Sequence, residues 1–96
     1  MAWQLAIHPA AGKERVRLDN SVKSRFKTKL AERMKKPRIA NAALSGAPDL
    51  FKIKITTTQF RMVYHVDDAR RCLTIMAVTS RDDVYDALAD RLSFEK

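Results

Sequence analysis

The amino-acid sequence predicts a small α+β domain whose helices pack on a mainly antiparallel sheet, with the elements in the order β-α-α-β-β-β-α. The length of 96 residues, of which 46% are apolar, is enough for one domain with one modest core. Apolar residues recur at every fourth position in the first half, as on the buried face of a helix. The second half contains three runs of alternating apolar residues, which are typical of strands. Residues 1–96 are therefore expected to form a single domain.

The first half of the chain is expected to hold one short strand followed by two helices. In residues 3–7 apolar side chains alternate with smaller or polar ones, which indicates a strand. Pro9 suits the start of a helix over about 10–18, because the first turn of a helix does not use the N–H that proline lacks. Polar residues 19–21 can cap a second helix, which Pro37 ends. The buried face of that helix is predicted from its four-residue apolar repeat: Val22, Phe26, Leu30 and Met34.

The second half is expected to hold three strands and a last helix. A loop or partial turn with small residues is predicted over 38–48. The alternating runs place the strands at about 50–56, 60–66 and 71–79. Thr79 or Ser80 can cap the helix that follows, because Ser80 and Asp83 have the spacing of a capping box. The apolar stripe of that helix is predicted at Val84, Leu88 and Leu92.

The charge of the chain is strongly positive and unevenly distributed. Nineteen Lys and Arg against eleven Asp and Glu give a net charge of +8. Residues 1–48 hold eleven of the basic and three of the acidic residues, whereas residues 49–96 hold eight of each, so the whole excess lies between Lys13 and Arg38. Such a charge favours a polyanionic partner, and its asymmetry indicates a nucleic-acid-binding face on one part of the domain.

The composition argues against several other classes of protein. One cysteine excludes an internal disulfide and a cysteine-rich zinc site, and two glycines leave no glycine-rich loop for a nucleotide. The two histidines, His8 and His65, are far apart, so neither a metal nor another cofactor is expected. Residues 1–12 form the longest uncharged run, which is too short for a membrane span and lacks the basic start of a signal peptide. A cytoplasmic protein without a membrane partner is expected.

The hairpin over residues 50–66 is the most informative segment, because its register follows from its apolar pattern. A slip of one residue would turn a whole strand over, so apolar residues must face apolar ones. Three cross-strand pairs are therefore predicted: Ile55 with Phe60, Ile53 with Met62 and Phe51 with Tyr64. This register sets Lys54 opposite Arg61, and Lys52 opposite Val63, on the other face of the sheet.

The cations on that face have no electrostatic reason to lie together in an isolated protein. Two cations directly opposite each other in a sheet repel by about 0.2–1 kcal/mol, and no acidic residue occurs between Asp49 and Asp67. We interpret Lys52, Lys54 and Arg61 as a site for phosphate. The alternative is the solvated side of a half-exposed sheet.

The second helix has a basic surface of its own, with Glu32 as its only acidic residue. Arg25, Lys29 and Arg33 repeat at four-residue spacing, where like charges repel and an ordinary solvated helix would mix their signs. This surface is predicted to lie along a nucleic-acid backbone and to contact phosphates without reading sequence; a merely solvated face is the alternative. The candidate RNA- and ribosome-binding residues are Lys23, Arg25, Lys27, Lys29, Arg33, Lys35 and Lys36.

Other residues give weaker signals. Arg81 and Tyr85 are one helical turn apart near the start of the last helix and can project together toward the open sheet face; placement on the outer surface is the alternative. His65 can serve as a general base on the cationic face, although a lone histidine is more often incidental. Tyr64 and Met76 are interpreted as packing residues.

Three runs of the sequence, 37–39, 44–54 and 60–64, closely resemble the RelE branch of the RelE/ParE toxin superfamily. The most specific part is a Leu-x-Gly-x-Pro turn that leads into Lys-x-Lys and then into an aromatic-Arg pair. The resemblance continues through Arg81 and residues 84–85, and it covers nearly the whole chain.

The resemblance implies a RelE-like fold and the toxin half of a bacterial toxin–antitoxin pair, restrained by a RelB-like antitoxin. Toxins of this branch enter the A site of the ribosome and cut messenger RNA there without a metal, by attack of a ribose 2′-hydroxyl on the adjacent phosphate. The residues that match the catalytic positions of the family are Lys52, Lys54, Arg61, Arg81 and Tyr85.

The chemistry of these residue types fits that reaction. Clustered cations disfavour one another's charge, so Lys52 or Lys54 can act as the base, and Tyr85 is a third choice. Arg61 stays protonated and suits the charge of the phosphorane, while Arg81 suits the phosphate or the leaving 5′-oxygen. Tyr85 can also stack on a nucleic-acid base.

Two other functions remain open on the sequence alone. A ParE-like toxin would inhibit DNA gyrase on the same fold without cutting RNA, but the presence of Lys52, Lys54, Arg61 and Arg81 together argues against it. A ribosome- or RNA-binding module with a degenerate site would keep the positive charge without the chemistry.

Overall fold

The computed structural model describes residues 3–44, 47–55 and 59–94, and in these ranges it has one five-stranded sheet and three α-helices. The strands are β1 (Gln4–Ile7), β2 (Ala43–Leu44), β3 (Ala47–Lys54), β4 (Phe60–Asp67) and β5 (Cys72–Ser80). The helices are α1 (Pro9–Val16), α2 (Asn20–Lys35) and α3 (Val84–Phe94), and a 3₁₀ turn covers Ala40–Ala42. The predicted α+β class and element order are confirmed. No helix in the described ranges is long and apolar enough to cross a membrane.

The boundaries differ from the prediction mainly between α2 and β3. The stretch 38–48, predicted as a loop, contains the 3₁₀ turn and the two-residue strand β2, because Ala43 pairs with Phe51 at the edge of the sheet. Parts of three predictions lie outside the described residues: positions 45–46 of the loop, Thr56 of the first hairpin strand and the side chain of Leu92.

The strands lie in the order β1-β5-β4-β3-β2. β1 runs parallel to β5 at one edge and the other neighbours are antiparallel, which confirms the mainly antiparallel sheet. The β3–β4 hairpin has the predicted register, with Ile53 opposite Met62 and Lys54 opposite Arg61. The apolar side chains of both strands consequently face α1 and α2, and the cations face the other side.

The sheet has a core on each face. On one face, α1 and α2 cover the larger cluster, in which Phe26, Ile53 and Tyr64 are at most 1% exposed. The predicted apolar stripe of α2 is confirmed there. On the other face, α3 covers a smaller cluster through Val84 and Leu88. Because this second cluster is small, part of that face stays open around the cations of the hairpin.

The last helix, α3, begins later than predicted. β5 stays paired with β4 as far as Ser80, which lies opposite Phe60, so the predicted cap at Thr79 or Ser80 is wrong. The Ser80 hydroxyl instead donates to the carboxylate of Asp83 at 3.1 Å, within the turn that precedes the helix. Arg81 therefore directly follows the last residue of β5 and does not lie in the first turn of the helix.

An extra residue in β5 changes the direction in which the end of that strand faces. Val63 of β4 pairs with Ala77, but Tyr64 pairs with Ile75, so Met76 is left over as a bulge. Residues before and after a one-residue bulge alternate out of phase. Ile75 accordingly lies in the cluster under α1 and α2, whereas Ala77 lies in the cluster under α3.

Candidate functional site

The cations of the hairpin and of the end of β5 meet in a small pocket on the sheet face that carries α3. The volume of this pocket is about 30 Å³. The residues that line it are Leu44, Lys52, Arg61, Val63, Arg81, Val84 and Tyr85. The pocket thus brings together four of the five positions implied by the family resemblance: Lys52, Arg61, Arg81 and Tyr85.

Strand alternation supplies the central walls of the pocket. Lys52 and Arg61 lie on neighbouring strands, and both side chains leave the main core because Ile53 and Met62 occupy the opposite face. On β5 the same face carries Ala77, which is fully buried in the cluster under α3.

Arg81 reaches the pocket because of the bulge in β5. After Met76 the alternation of the strand is reversed, so Ala77, Thr79 and Arg81 share the face that carries the hairpin cations. The Arg81 N–H donates to the carbonyl of Gln59 at 2.8 Å, which extends the pairing of the two strands by one residue. Without the extra residue, strand alternation would direct Arg81 toward the side of α1 and α2.

Tyr85 lies at the rim of the pocket, in the first turn of α3. This helix packs on the sheet through Val84 and Leu88, which are buried, whereas Tyr85 is 57% exposed. An exposed aromatic ring beside a cationic pocket is available to stack on a nucleic-acid base.

Lys54 lies beside the pocket, in a second cleft between α2, the 3₁₀ turn and β3. The volume of this cleft is about 340 Å³. The residues that line it are Lys29, Arg33, Ile39, Asn41, Ala42, Lys52 and Lys54. Because Lys52 lines both the pocket and the cleft, the five implied catalytic positions lie at the junction of two concavities.

The positive charges at this junction are poorly compensated. Among the side chains that the structure describes, no carboxylate lies within ion-pairing distance of Lys52, Lys54 or Arg61. The Nε atom of Arg81 is 3.8 Å from Asp82, but the two side chains are 63% and 79% exposed, so this pair neutralises little. A phosphate group, with several anionic oxygens, would complement such a set of donors.

Known proteins with similar sequences point to one family. Residues 4–85 match the sequence model of the family described as the ParE toxin of the type II toxin–antitoxin system, parDE. The mRNA interferase toxin RelE of Escherichia coli strain K12 is 34% identical over 94 residues, which cover 96% of this chain and 99% of that protein. The chain belongs to the RelE branch of the RelE/ParE toxin superfamily.

Solved structures of this branch have the same fold. A free variant of E. coli RelE has a TM-score of 0.86 at 30% identity, with 98% of both chains covered. A chain of the intact E. coli RelBE toxin–antitoxin complex has a TM-score of 0.80 at 34% identity, with 82% of this chain and 96% of that chain covered. The RelE-like fold that the resemblance implies is therefore confirmed.

The basic residues of α2 are divided between two sides of this RelE-branch domain. Lys29 and Arg33 line the cleft beside the pocket. Lys23 and Lys27 instead line a groove between α2 and β1. The other members of the predicted RNA- and ribosome-binding set are exposed: Arg25, Lys35 and Lys36. Different members of the set of seven therefore line different concavities.

Arg33 has a structural contact that the sequence analysis missed. Its Nη1 donates to the carbonyl of Lys52 at 3.1 Å and to the hydroxyl of Tyr64 at 3.1 Å. The Tyr64 hydroxyl donates in turn to the carbonyl of Pro37 at 2.7 Å. Burial raises the pKa of Tyr64 above its usual value, and the hydrogen bond from Arg33 opposes part of that rise. A tyrosine on an apolar strand face was the available signal, since a buried hydroxyl needs a partner.

Glu14 and Arg91 form a second contact that the sequence analysis missed, behind the bulge of β5. Two nitrogens of Arg91 donate to the two carboxylate oxygens of Glu14 at 2.8 and 2.9 Å. Arg91 also donates to the carbonyl of Met76 at 2.8 Å, and Glu14 accepts from the N–H of Val78 at 2.9 Å. Because β1 ends at Ile7, these side chains take over the backbone groups of β5 that β1 leaves unpaired.

The two histidines lie away from the pocket. Nδ1 of His8 accepts a hydrogen bond from the N–H of Ala10 at 3.1 Å and so caps α1. His65 is half-buried opposite Leu50 and Thr74, and it is not among the residues that line the pocket.

Proposed function

We propose that this chain is the toxin of a type II toxin–antitoxin system and a ribosome-dependent endoribonuclease. It cuts messenger RNA in the A site, without a metal, by attack of a ribose 2′-hydroxyl on the adjacent phosphate. The observation that carries the proposal is the pocket that gathers Lys52, Arg61, Arg81 and Tyr85, with Lys54 beside it. It is supported by 34% identity to a protein named mRNA interferase over nearly the full length of both chains.

The reaction needs a base, an anion-stabilising group and a proton for the leaving oxygen. A bond forms between the 2′-oxygen and phosphorus, and the bond from phosphorus to the 5′-oxygen breaks. The 2′-hydroxyl proton moves to the base, and the leaving 5′-oxygen takes a proton from water. Lys52, Lys54 and Tyr85 remain the candidates for that base. Arg61 stabilises the phosphorane, and Arg81 stabilises the phosphate or the leaving oxygen, because an arginine keeps its protons throughout.

The size of the pocket supports dependence on the ribosome. A volume of about 30 Å³ holds one or two water molecules, so it admits phosphate oxygens but not a nucleotide. The nucleotide base must therefore stay outside, where the exposed ring of Tyr85 can stack on it. A site that grips only a phosphate cannot align the 2′-hydroxyl by itself, and alignment supplies much of the rate in such reactions. The ribosome provides the messenger already positioned.

The basic residues of α2 and of its C-cap that do not line the cleft have a separate role in this proposal. They contact ribosomal RNA phosphates and supply affinity without sequence specificity. Their contribution falls as salt rises, because binding releases counterions from the RNA. The residues assigned to this docking are Lys23, Arg25, Lys27, Lys35 and Lys36.

A RelB-like antitoxin is the expected protein partner. E. coli RelE forms a complex with its antitoxin, and a variant of that toxin binds a RelB peptide. The +8 charge of the present chain favours a partner with acidic segments, which would associate quickly through electrostatic steering. Co-purification with a RelB-like protein encoded beside this chain, and relief of growth arrest by it, would support this assignment; failure of both would remove it.

A ParE-like inhibitor of DNA gyrase is the second candidate, and the match to the ParE toxin family favours it. The two functions are separated by primer extension on messengers in a reconstituted translation system with chelator present. The proposed function predicts cuts within the codon in the A site, and no cuts with the Arg61→Ala variant. Intact messenger together with inhibited gyrase supercoiling would assign the chain to the ParE-like function.

A further inference from the structure

The cleft beside the pocket contains polar groups, Lys29 and Asn41, that the proposed cleavage step does not use. Four of the residues that line it are cations: Lys29, Arg33, Lys52 and Lys54. Asn41 adds a side-chain amide, and no acidic residue is among the lining residues. Its volume of about 340 Å³ falls in the range of ligand sites, roughly 300–1,000 Å³. The cleft therefore suits an anionic group of about nucleotide size.

Hydrogen bonds hold the two walls of the cleft together. Arg33 on α2 donates to the carbonyl of Lys52 on β3, and it also donates to the hydroxyl of Tyr64. That hydroxyl is tied to the carbonyl of Pro37, just after the helix. Lys29 lies one helical turn before Arg33 and therefore on the same side of α2. The relative position of α2 and β3 is thus set by buried contacts, and not by the lysines themselves.

The cleft is continuous with the cleavage pocket. Lys52 lines both, and Lys54 follows it on the same face of β3. An RNA strand with its scissile phosphate in the pocket carries the next phosphodiester one nucleotide away. The concavity that adjoins the pocket on the side of α2 is lined with positive charge and can receive that group.

We propose that the cleft is a second phosphate subsite, in which Lys29 and Asn41 bind the phosphodiester next to the scissile one. In this arrangement Lys54 lies between the two phosphates, and its positive charge attracts both of them. The inference rests on the proposed cleavage of RNA and deepens it, since it assigns Lys29 to the messenger, whereas other basic residues of α2 contact the ribosome.

The test uses short synthetic messengers in which one phosphate beside the scissile bond is replaced by an uncharged methylphosphonate, on the 5′ side or on the 3′ side. Cleavage of ribosome-bound messenger is followed under single-turnover conditions. With the unmodified messenger, Lys29→Ala slows cleavage on the order of tenfold, the size of one charge-assisted hydrogen bond. With the messenger that is neutral at the contacted position, the wild-type chain and Lys29→Ala cut at the same rate.

Two matched variants separate this subsite from other effects of charge. Lys27→Ala removes an exposed lysine from the same helix, on the side of the groove with β1. It weakens ribosome binding equally for every messenger. Lys13→Ala removes an exposed lysine of α1. It leaves the cleavage rates of the unmodified and the methylphosphonate messenger unchanged. If Lys29→Ala slows every messenger by the same factor, Lys29 acts on the ribosome and the subsite is wrong.

A binding measurement separates failure of the subsite from failure of the proposed cleavage. The probes are a dinucleotide with one phosphate and a trinucleotide with two, both made uncleavable by 2′-O-methylation. The trinucleotide is expected to shift the NMR signals of the Asn41 side-chain amide, and the dinucleotide is not. If the chain cuts no messenger but the two oligonucleotides differ in this way, the subsite is supported and the proposed cleavage activity is not. A trinucleotide that leaves Asn41 unperturbed overturns the subsite, whatever the cleavage result.

Discussion

Basic residues serve two distinct purposes in two regions of this domain. Behind the bulge, Arg91 meets Glu14 and a backbone carbonyl, and beneath the cleft Arg33 meets a carbonyl and a tyrosine hydroxyl. In the pocket, Lys52 and Arg61 have no carboxylate partner among the described side chains. Arg61 donates to the carbonyl of the adjacent Phe60 at 3.0 Å, a contact that does not neutralise its charge. Cations that join separate elements stabilise the fold, whereas cations gathered without an anionic partner repel one another and are explained by an anion that binds there.

The largest expected effect is on cleavage, from a change in the pocket. Arg81→Ala should slow single-turnover cleavage by about 10²–10³, the usual loss when one group that stabilises a developing anion is removed. Its thermal midpoint should stay unchanged, because the side chain is exposed and its one ion pair with a described side chain is loose. The measurement pairs cleavage kinetics with a melting curve. A variant with a lower thermal midpoint and a normal cleavage rate would show that Arg81 stabilises the fold and does not serve the reaction.

Arg70→Ala is the control for that variant. The Arg70 side chain is 85% exposed and lies 3.9 Å from Asp67 in the turn between β4 and β5. Its removal should change stability by a few tenths of a kcal/mol at most and should leave cleavage intact.

The next effect is on stability, from the paired region. Arg91→Ala removes the guanidinium that donates to the carbonyl of Met76, and it leaves Glu14 with the N–H of Val78 but without its cation. It should therefore lower the free energy of unfolding by about 2–3 kcal/mol. This is less than for a fully buried pair, because the two side chains are 13% and 22% exposed. Urea denaturation measures the loss. A stability equal to wild type would show that the pair does not hold α3 to the sheet.

The hairpin register was predictable because a slip of one residue exposes a whole apolar face. Alternation alone therefore placed Lys54 opposite Arg61, as the structure has them. The catalytic positions at Arg81 and Tyr85 came from the family resemblance, because the periodicity wrongly put both on one helix.

The bulge and the paired arginines were not predictable, for a physical reason. Glu14 and Arg91 are 77 residues apart in the chain, and only the folded sheet brings their helices together. The bulge did leave a trace, since the apolar spacing shifts from two to three between Leu73, Ile75 and Val78. That shift is what reverses the end of β5 and directs Arg81 into the pocket.

A smaller effect is expected from Tyr64→Phe, which removes the hydroxyl that joins Arg33 to the carbonyl of Pro37. The free energy of unfolding should fall by about 1–2 kcal/mol, since the buried carbonyl of Pro37 loses its donor and the half-buried Arg33 loses one of its two acceptors. The pKa of Tyr64 is raised on folding, so its contribution is fully present below the unfolded pKa near 10 and decreases as pH rises through the folded value. The wild-type chain should therefore lose stability faster than Tyr64→Phe above pH 10. Parallel pH profiles would exclude this linkage.

The smallest effect is expected from Arg38→Ala. Arg38 joins Asp49 and Asp68 at 2.9 and 2.6 Å, but all three side chains are at least 40% exposed. The variant should be less destabilised than Tyr64→Phe, and high salt should remove the difference from wild type, because exposed charges are screened. Thermal melts at low and at 1 M salt measure this. A loss that persists at high salt would instead point to the packing of Arg38 on the ring of Phe51.

The most direct test of the account is the effect of Arg61→Ala on cleavage and on binding, measured in one experiment with saturating ribosomes. Arg61 lines the pocket and has no carboxylate partner among the described side chains, so its charge is assigned to the reacting phosphate. We expect Arg61→Ala to cleave messenger in the A site about 10²–10³ times more slowly than the wild-type chain, at unchanged ribosome occupancy and unchanged thermal midpoint. A rate that falls only in proportion to lost occupancy, or that does not fall, would contradict it.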